Sequence, residues 1–215
     1  MRGCTGTKRT RRAESRGSVR LVLASASPAR LRVLLAAGFD PEVVVSGVPE
    51  DIGISSTESV VRQLAERKAE AVGSRCRDSL VLGCDTMLEI EGRARGKPKD
   101  EAEALEMWRS QSGRTGTLMT GHCLIDTSRD ARRSAVVRTV IRFGRPDDEE
   151  LRAYVASGEP LGTAGGFTIE GRGAPFIEGI EGDPGNVLGL SVPVFRFLLR
   201  ELGFSVTDLW GLTPR

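Results

Sequence analysis

Hydrophobic residues along this chain fall into short runs that switch between strand and helix spacing. Leu21-Val22-Leu23 is an apolar run too short for a helix and reads as a buried strand. It breaks into Ala24-Ser25-Ala26-Ser27-Pro28, where Ser27 fits a helix N-cap and Pro28 the first helical position. Leu31, Leu34 and Leu35 then share one face, and Gly38 ends the helix. Val43–Val45 predicts a second short strand. Residues 57–72 carry Val60, Val61, Leu64, Ala65, Ala71 and Val72 on one face, an amphipathic helix stopped by Gly73. Lys68 lies four residues after Leu64 and so falls on the apolar face. A snorkelling stem and a functional amine are both open readings there.

Leu80–Cys84 predicts the next buried strand, ending at Asp85-Thr86, with Met87–Ile90 continuing as strand. Acids at the C-terminal ends of strands in open α/β sheets line ligand crevices, which singles out Asp85. Gly96-Lys97-Pro98 leads into a helix over about residues 101–111, with Asp100 as its cap and Leu105 and Trp108 inward. Residues 117–125 and 134–143 predict two long antiparallel strands joined by a polar turn around Ser128-Arg129-Asp130. Asp147–Ala156 predicts a short helix, and Ser191–Leu202 a closing helix with Phe195, Leu198, Leu199 and Leu202 toward the core. Between them, residues 158–189 are dense in glycine. That density fits either close approach of backbone to a ligand or a run of tight turns. Alternating strands and helices make the fold class α/β.

The 215 residues allow one good-sized domain, and 39% hydrophobic with 28% charged residues is the balance of a soluble globular chain. No run is long and apolar enough to span a bilayer, and the N-terminus lacks the apolar stretch of a secretory signal. Charge is unevenly placed. Residues 1–18 hold six basic side chains against Glu14, a formal +5 of the overall +2, leaving about −3 for the remainder. A mildly acidic body argues against a built-in nucleic-acid surface, and the basic segment reads as a solvated, disordered extension. The organisation expected is therefore a basic extension at 1–18, one domain over 19–205 and a tail at 206–215. Cys4, Cys76, Cys84 and Cys123 show no zinc-ligand spacing, and reduced thiols suit a cytoplasmic protein. His122, the single histidine, sits in an expected strand and reads as a core residue.

The junction at Ser25–Ser27 offers serine hydroxyls and backbone N–H groups at the positive end of a helix, with Arg30 beside them. That chemistry suits a phosphate, or an ordinary capped junction. Lys68 and Lys97 add cations outside ordinary surface patterns, and Glu50 and Asp85 add acids at loop ends. Basic groups with N–H donors hold phosphates, and a pair of carboxylates holds Mg²⁺. With no usable histidine or cysteine nucleophile, water activated by metal or carboxylate is the economical mechanism. The residues alone reach a phosphate-handling enzyme.

The segment from Leu23 to Leu35, Leu-Ala-Ser-Ala-Ser-Pro-Ala-Arg-Leu-Arg-Val-Leu-Leu, resembles the opening motif of the Maf family of nucleoside triphosphate pyrophosphatases. The resemblance continues in order through Leu64-Ala-Glu-Arg-Lys, Gly83-Cys-Asp-Thr, Gly96-Lys-Pro, Ser112-Gly-Arg and Thr120-Gly. It resumes at Gly158-Glu-Pro, Ala164-Gly-Gly-Phe, Ile180-Glu-Gly and Asn186-Val-Leu-Gly-Leu. It implies a two-lobed mixed sheet flanked by helices, related to the inosine triphosphate pyrophosphatase type, with the site in the central cleft and commonly a homodimer. It also implies hydrolysis between the α and β phosphates, dependent on Mg²⁺ or another divalent cation such as Mn²⁺, in a house-cleaning role associated with septum formation. By the same resemblance Asp85, Lys68 and Lys97 are catalytic, Glu50 and Asp85 hold the metal, and Ser25, Ser27 and Arg30 bind the phosphates. A non-catalytic nucleotide- or nucleic-acid-binding regulator of cell division is the alternative.

Two departures stand out. Ala29 occupies the first of two positions where the family carries paired arginines, leaving Arg30, with Arg32 as a candidate substitute. Glu170 replaces the glutamine of members that act on dTTP and UTP. An ionised carboxylate only accepts hydrogen bonds and suits the N–H edge of a guanine, so Phe167 and Glu170 lean toward 7-methyl-GTP. Gly185-Asn186-Val187 leans the other way, toward UTP or dTTP.

Overall fold

The computed structural model describes residues 19–50 and 56–210. The basic segment 1–18 and residues 211–215 of the expected tail lie outside the described residues. The elements run β1 (Arg20–Leu23), α1 (Pro28–Ala36), β2 (Glu42–Val43), α2 (Thr57–Gly73), β3 (Ser79–Ile90), β4 (Arg93–Arg95) and α3 (Glu101–Gln111). They continue with β5 (Thr115–Asp126), β6 (Ala131–Phe143), α4 (Asp148–Ala156), β7 (Ile177–Glu181), α5 (Pro184–Val187) and α6 (Val192–Glu201). Ser27, Ser56, Asp100, Asp147 and Ser191 cap their helices through side-chain oxygens. Each satisfies a backbone N–H that the first turn leaves without a partner.

One mixed seven-stranded sheet takes the order β2-β1-β3-β5-β6-β7, with β4 added to β3. β1 runs parallel to both β2 and β3, whereas β3, β5, β6 and β7 are antiparallel neighbours. β3 organises the sheet. Its first residues, Ser79–Leu82, pair with β1, and its last, Leu88–Ile90, pair with β4. Between them, residues 83–87 keep β5 on one side and have no strand on the other among the described residues. The cleft opens at this gap. Asp85 therefore sits inside a continuous strand, opposite Gly121, and not at a strand end as the apolar pattern predicts. The strand that ends here is β1.

The alternation of β3 builds the lobes. Leu80, Leu82 and Cys84 join Leu23, Leu34, Phe195, Leu198 and Leu199 beneath α1 and α6. Leu88 and Ile90, further along, join Trp108, Phe143, Leu151, Tyr154 and Phe167 beneath α3 and α4. Val81, on the alternate set of positions, packs with Ala65, Ala69 and Val72 of α2 and with Cys123 and Ile125 of β5.

The approach of α2 to the sheet is unusually close. A Cβ at Gly83 would stand 2.2 Å from the Ala65 carbonyl oxygen, and one at Gly121 would stand 2.1 Å from that of Val61. Only glycine at both positions lets the helix settle there.

Four expectations shift. Leu35 is 48% exposed, because α1 turns only Leu34 and Arg30 fully inward. The second strand is Glu42–Val43, and Val45 is exposed beyond it. Ala69 is buried on α2 in place of half-buried Ala71. The glycine-rich segment contains three short 3₁₀ turns, at Glu159–Gly162, Ala164–Gly166 and Ala174–Phe176, and then the edge strand β7. Beyond α6, the Trp210 ring packs at a tilt against Phe39 and donates to the Ala37 carbonyl at 3.1 Å. No described helix is long and apolar enough to cross a membrane.

His122 is a core residue as read from its place in the sequence. Its Nε2 accepts from the Ser191 N–H at 2.9 Å, so Nδ1 is the protonated nitrogen and donates to the Thr120 carbonyl at 3.1 Å.

Two outcomes are expected. Gly121→Ala forces α2 off the sheet and lowers stability by about 2 kcal/mol or more, read as a fall in the urea midpoint at constant slope. Burial pushes the His122 pKa from 6.5 down to about 4. The unfolded chain therefore takes up a proton first on acidification, and the contribution of the neutral ring, intact above about 6.5, is lost down to about 4. The loss reaches ~3 kcal/mol, measured as the pH dependence of melting, and that slope is absent from His122→Gln.

Candidate active site

At the end of β1 the chain turns through Ser25–Ser27 into α1. Ser25 Oγ accepts from the Ser27 N–H at 3.2 Å and from an Arg30 terminal nitrogen at 3.0 Å, which shapes the turn. Arg30 also donates through Nε to the Gly189 carbonyl at 2.9 Å and through its other terminal nitrogen to Thr86 Oγ1 at 3.0 Å. Thr86 Oγ1 lies 3.1 Å from Thr120 Oγ1, which in turn donates to the Asn186 carbonyl at 3.3 Å. One buried arginine thus ties the serine turn to β3 and to the 186–189 segment across the cleft. Arg30 lines the cleft, and with these three bonds made each terminal nitrogen still keeps a second N–H, so it braces the candidate phosphate site and retains donors for an anion.

Lys68 is buried on α2, and its Nζ donates to Asp85 Oδ1 at 2.7 Å and to Glu50 Oε1 at 2.6 Å. The amine functions here as a charged hub and does not snorkel to solvent. Burial pushes the Asp85 carboxyl above its ordinary range, opposed by the neighbouring Lys68 and Arg30 cations. Glu50, more open to water, is held below its ordinary range by its hydrogen bond to Lys68. A carboxylate poised upward by burial and oriented by a lysine is a competent proton acceptor.

Two connected hollows share Ser27, Arg30, Glu50, Lys68, Lys97 and Gly162. One, of about 250 Å³, is walled by the serine turn and by Val45–Val48. The other, of about 120 Å³, is walled by Asp85–Met87, Thr163, Phe167-Thr168 and Val187–Gly189. Lys97 stands at their junction and makes no ion pair among the described residues.

The structure thus brings together Ser25, Ser27, Arg30, Glu50, Lys68, Asp85, Lys97 and Phe167. Phe167 is 3% exposed and packs edge-on to Phe143 at 5.0 Å, so it forms the cleft wall from within the core. Glu170 lies apart. It meets Arg32 at 3.4 Å on an outer depression lined by Leu35, Leu188 and Val192. Arg32 accordingly does not reach the cleft lining to replace the arginine absent at position 29. Thr86 and Thr120 are the residues that sequence reasoning missed. Both fall in the motif blocks Gly83-Cys-Asp-Thr and Thr120-Gly, but strand propensity gives them no role until the register shows what they face.

The profile of the family described as Maf-like protein matches residues 20–202. A nucleoside triphosphate pyrophosphatase of Streptomyces avermitilis is 54% identical over 199 residues, covering 91% of this chain and 96% of its own. One from Streptomyces coelicolor is 53% identical over 195 residues, covering 89% and 95%. One from Salinispora tropica is 50% identical over 199 residues, covering 90% and 88%. Among solved structures, the Staphylococcus aureus Ham1 protein is 16% identical with a TM-score of 0.41, covering 58% of this chain and 72% of its own.

Arg30→Lys keeps the charge but loses the guanidinium fork, so stability is expected to fall by about 3 kcal/mol, read by urea unfolding. Unchanged stability with weakened phosphate binding would instead make Arg30 a direct ligand.

Proposed function

The chain belongs to the Maf family, and we propose that it is a nucleoside triphosphate pyrophosphatase that cleaves the α–β phosphoanhydride to a nucleoside monophosphate and pyrophosphate. The observation that carries the reading is Lys68, buried and bonded to both Glu50 and Asp85, in one cleft with Lys97 and the serine turn.

The hollow walled by the serine turn suits the triphosphate, with Ser25 and Ser27 at the positive end of α1 and Lys97 and Lys68 beside them. The hollow walled by Phe167, Thr168 and Val187 suits the nucleoside. Water attacks the α-phosphorus, and Asp85 takes its proton on the carboxylate oxygen that Lys68 does not hold. The bond to the α–β bridging oxygen breaks, and pyrophosphate leaves with that electron pair beside Lys97. Lys68 orients Asp85 and keeps it ionised until it takes that proton.

A divalent cation fits this donor set. Glu50 and Asp85 each give Lys68 one oxygen, which brings the two carboxylates together and leaves each with a second oxygen. The described residues hold no cluster of three acid, histidine or cysteine groups, and Mg²⁺ at phosphate sites needs only one or two carboxylates. Glu50 and Asp85 would hold Mg²⁺, or Mn²⁺ in its place. The ion would supply neutralisation of phosphate charge. The homodimer, the cytoplasmic location, the house-cleaning role and the septum link enter this proposal from the family resemblance alone. The two candidate substrate groups are 7-methyl-GTP and UTP or dTTP.

The test is pyrophosphate release with Mg²⁺ from dTTP, UTP, CTP, GTP and 7-methyl-GTP. The wild-type chain is expected to act on at least one of them, and Asp85→Asn to lower kcat by about 10³-fold. The acid limb of wild-type kcat/KM is expected above the ordinary carboxylate range, because burial raises Asp85. Release from no nucleotide would overturn the reading in favour of a binding regulator.

A further inference from the structure

Glu159 takes no part in the chemistry above, yet it organises one wall of the cleft. It opens the 3₁₀ turn Glu159–Gly162, and its carboxylate folds back onto a later stretch of chain. Oε2 accepts the Arg172 N–H at 3.0 Å, and Oε1 accepts the Gly173 N–H at 2.9 Å. Two successive backbone donors thus share one carboxylate, an arrangement that needs both oxygens and the charge. Gly171 sits against the same carboxylate at φ +138°, and a Cβ there would come within 2.5 Å of Oε2. Glu159 also helps to raise the Tyr154 hydroxyl pKa, after burial, which places that ring against it.

The stretch that Glu159 holds is the return of the loop bearing Phe167, Thr168 and Glu170. The start of that loop is tied separately. Trp108 Nε1 donates to the Gly166 carbonyl at 2.7 Å, and Gln111 Nε2 to that of Gly165 at 3.1 Å. Between these anchors, Phe167 and Thr168 face the smaller hollow, and Glu170 faces the outer depression. The Thr168 backbone is hydrogen-bonded to the Tyr154 hydroxyl, and few other bonds hold the span. Glu170 N–H donates to Thr168 Oγ1 at 3.1 Å, and the Arg32 contact is half-exposed and long. The serine turn, Lys68 and Asp85 belong to other elements, held by Arg30 and α2.

We propose that Glu159 is a positioning residue for nucleoside recognition, setting the 167–171 loop against the nucleoside half of the substrate without acting on the phosphates. This rests on the pyrophosphatase reading. It separates two affinities that general damage to the site would move together.

The experiment compares KM and kcat for the best nucleotide with the inhibition constant of inorganic tripolyphosphate, a probe without base or sugar. Glu159→Gln turns one acceptor into an amide that faces an N–H, and is expected to raise KM about tenfold while kcat changes by less than about threefold. Tripolyphosphate inhibition stays at the wild-type value. Gly171→Ala displaces the same contact without altering Glu159, and is expected to give the same split should Glu159→Gln fail to fold. An unchanged nucleotide KM, or a parallel loss of tripolyphosphate affinity, would overturn the proposal. A wild-type chain that releases no pyrophosphate would overturn the pyrophosphatase reading instead. Calorimetric binding of nucleotide against tripolyphosphate to the same variants then reads the split without turnover.

Discussion

The cleft depends on a lysine ammonium buried between two carboxylates. Lys68 is held within 2.7 Å of both Glu50 and Asp85, on a helix that lies closer to its sheet than side chains would ordinarily allow. A charge removed from water is tolerated only where it is paired and hydrogen-bonded. Gly83 and Gly121 bring α2 down far enough for the pairing to form. The same burial that makes Asp85 costly to ionise makes it useful as a base, and Lys68 keeps that cost within bounds. Packing and chemistry meet at one amine.

Around this pair, the gap along β3 decides where a ligand can enter. β1 stops and β4 starts, so residues 83–87 present a bare strand edge between two lobes built on one face of the same strand. A gap of that kind would weaken a sheet if nothing bridged it. Arg30 bridges it, reaching the serine turn, Thr86 and the Gly189 carbonyl at once. The guanidinium is suited to this because its donors point in fixed directions from one plane. Arg30 and α2 hold the phosphate wall, and Arg30 also reaches the 186–189 segment opposite. The 165–173 stretch of that opposite wall has its own supports in Trp108, Gln111 and Glu159.

Much of this is legible in the sequence. The helices follow from apolar spacing near 3.6 and from caps such as Ser27, Asp100, Asp147 and Ser191, all of which act locally. The long β5–β6 hairpin follows from its alternation. Lys68 stood out because a charge on an apolar face needs a reason, and the structure supplies one. The ordered motifs from Leu23 to Leu190 place the chain in its family, and the family profile covers residues 20–202.

What the sequence by itself determined is the set of local choices: where helices begin and end, which face of each is apolar, and which polar residues stand out of pattern. Only the tertiary structure decided what those residues meet. Asp85 looked like the end of a strand because its apolar run stops there, but pairing with β5 carries β3 straight through. Leu35 looked inward by spacing, yet α1 has neighbours on one narrow side, and Leu35 stays in solvent. Glu170 and Arg32, 138 residues apart, meet outside the cleft, and Thr86, Thr120 and Glu159 acquire roles only through partners far along the chain. Hydrophobic period and capping are properties of a few consecutive residues. Register, close approach and long-range hydrogen bonds belong to pairs of segments, and no single segment encodes them.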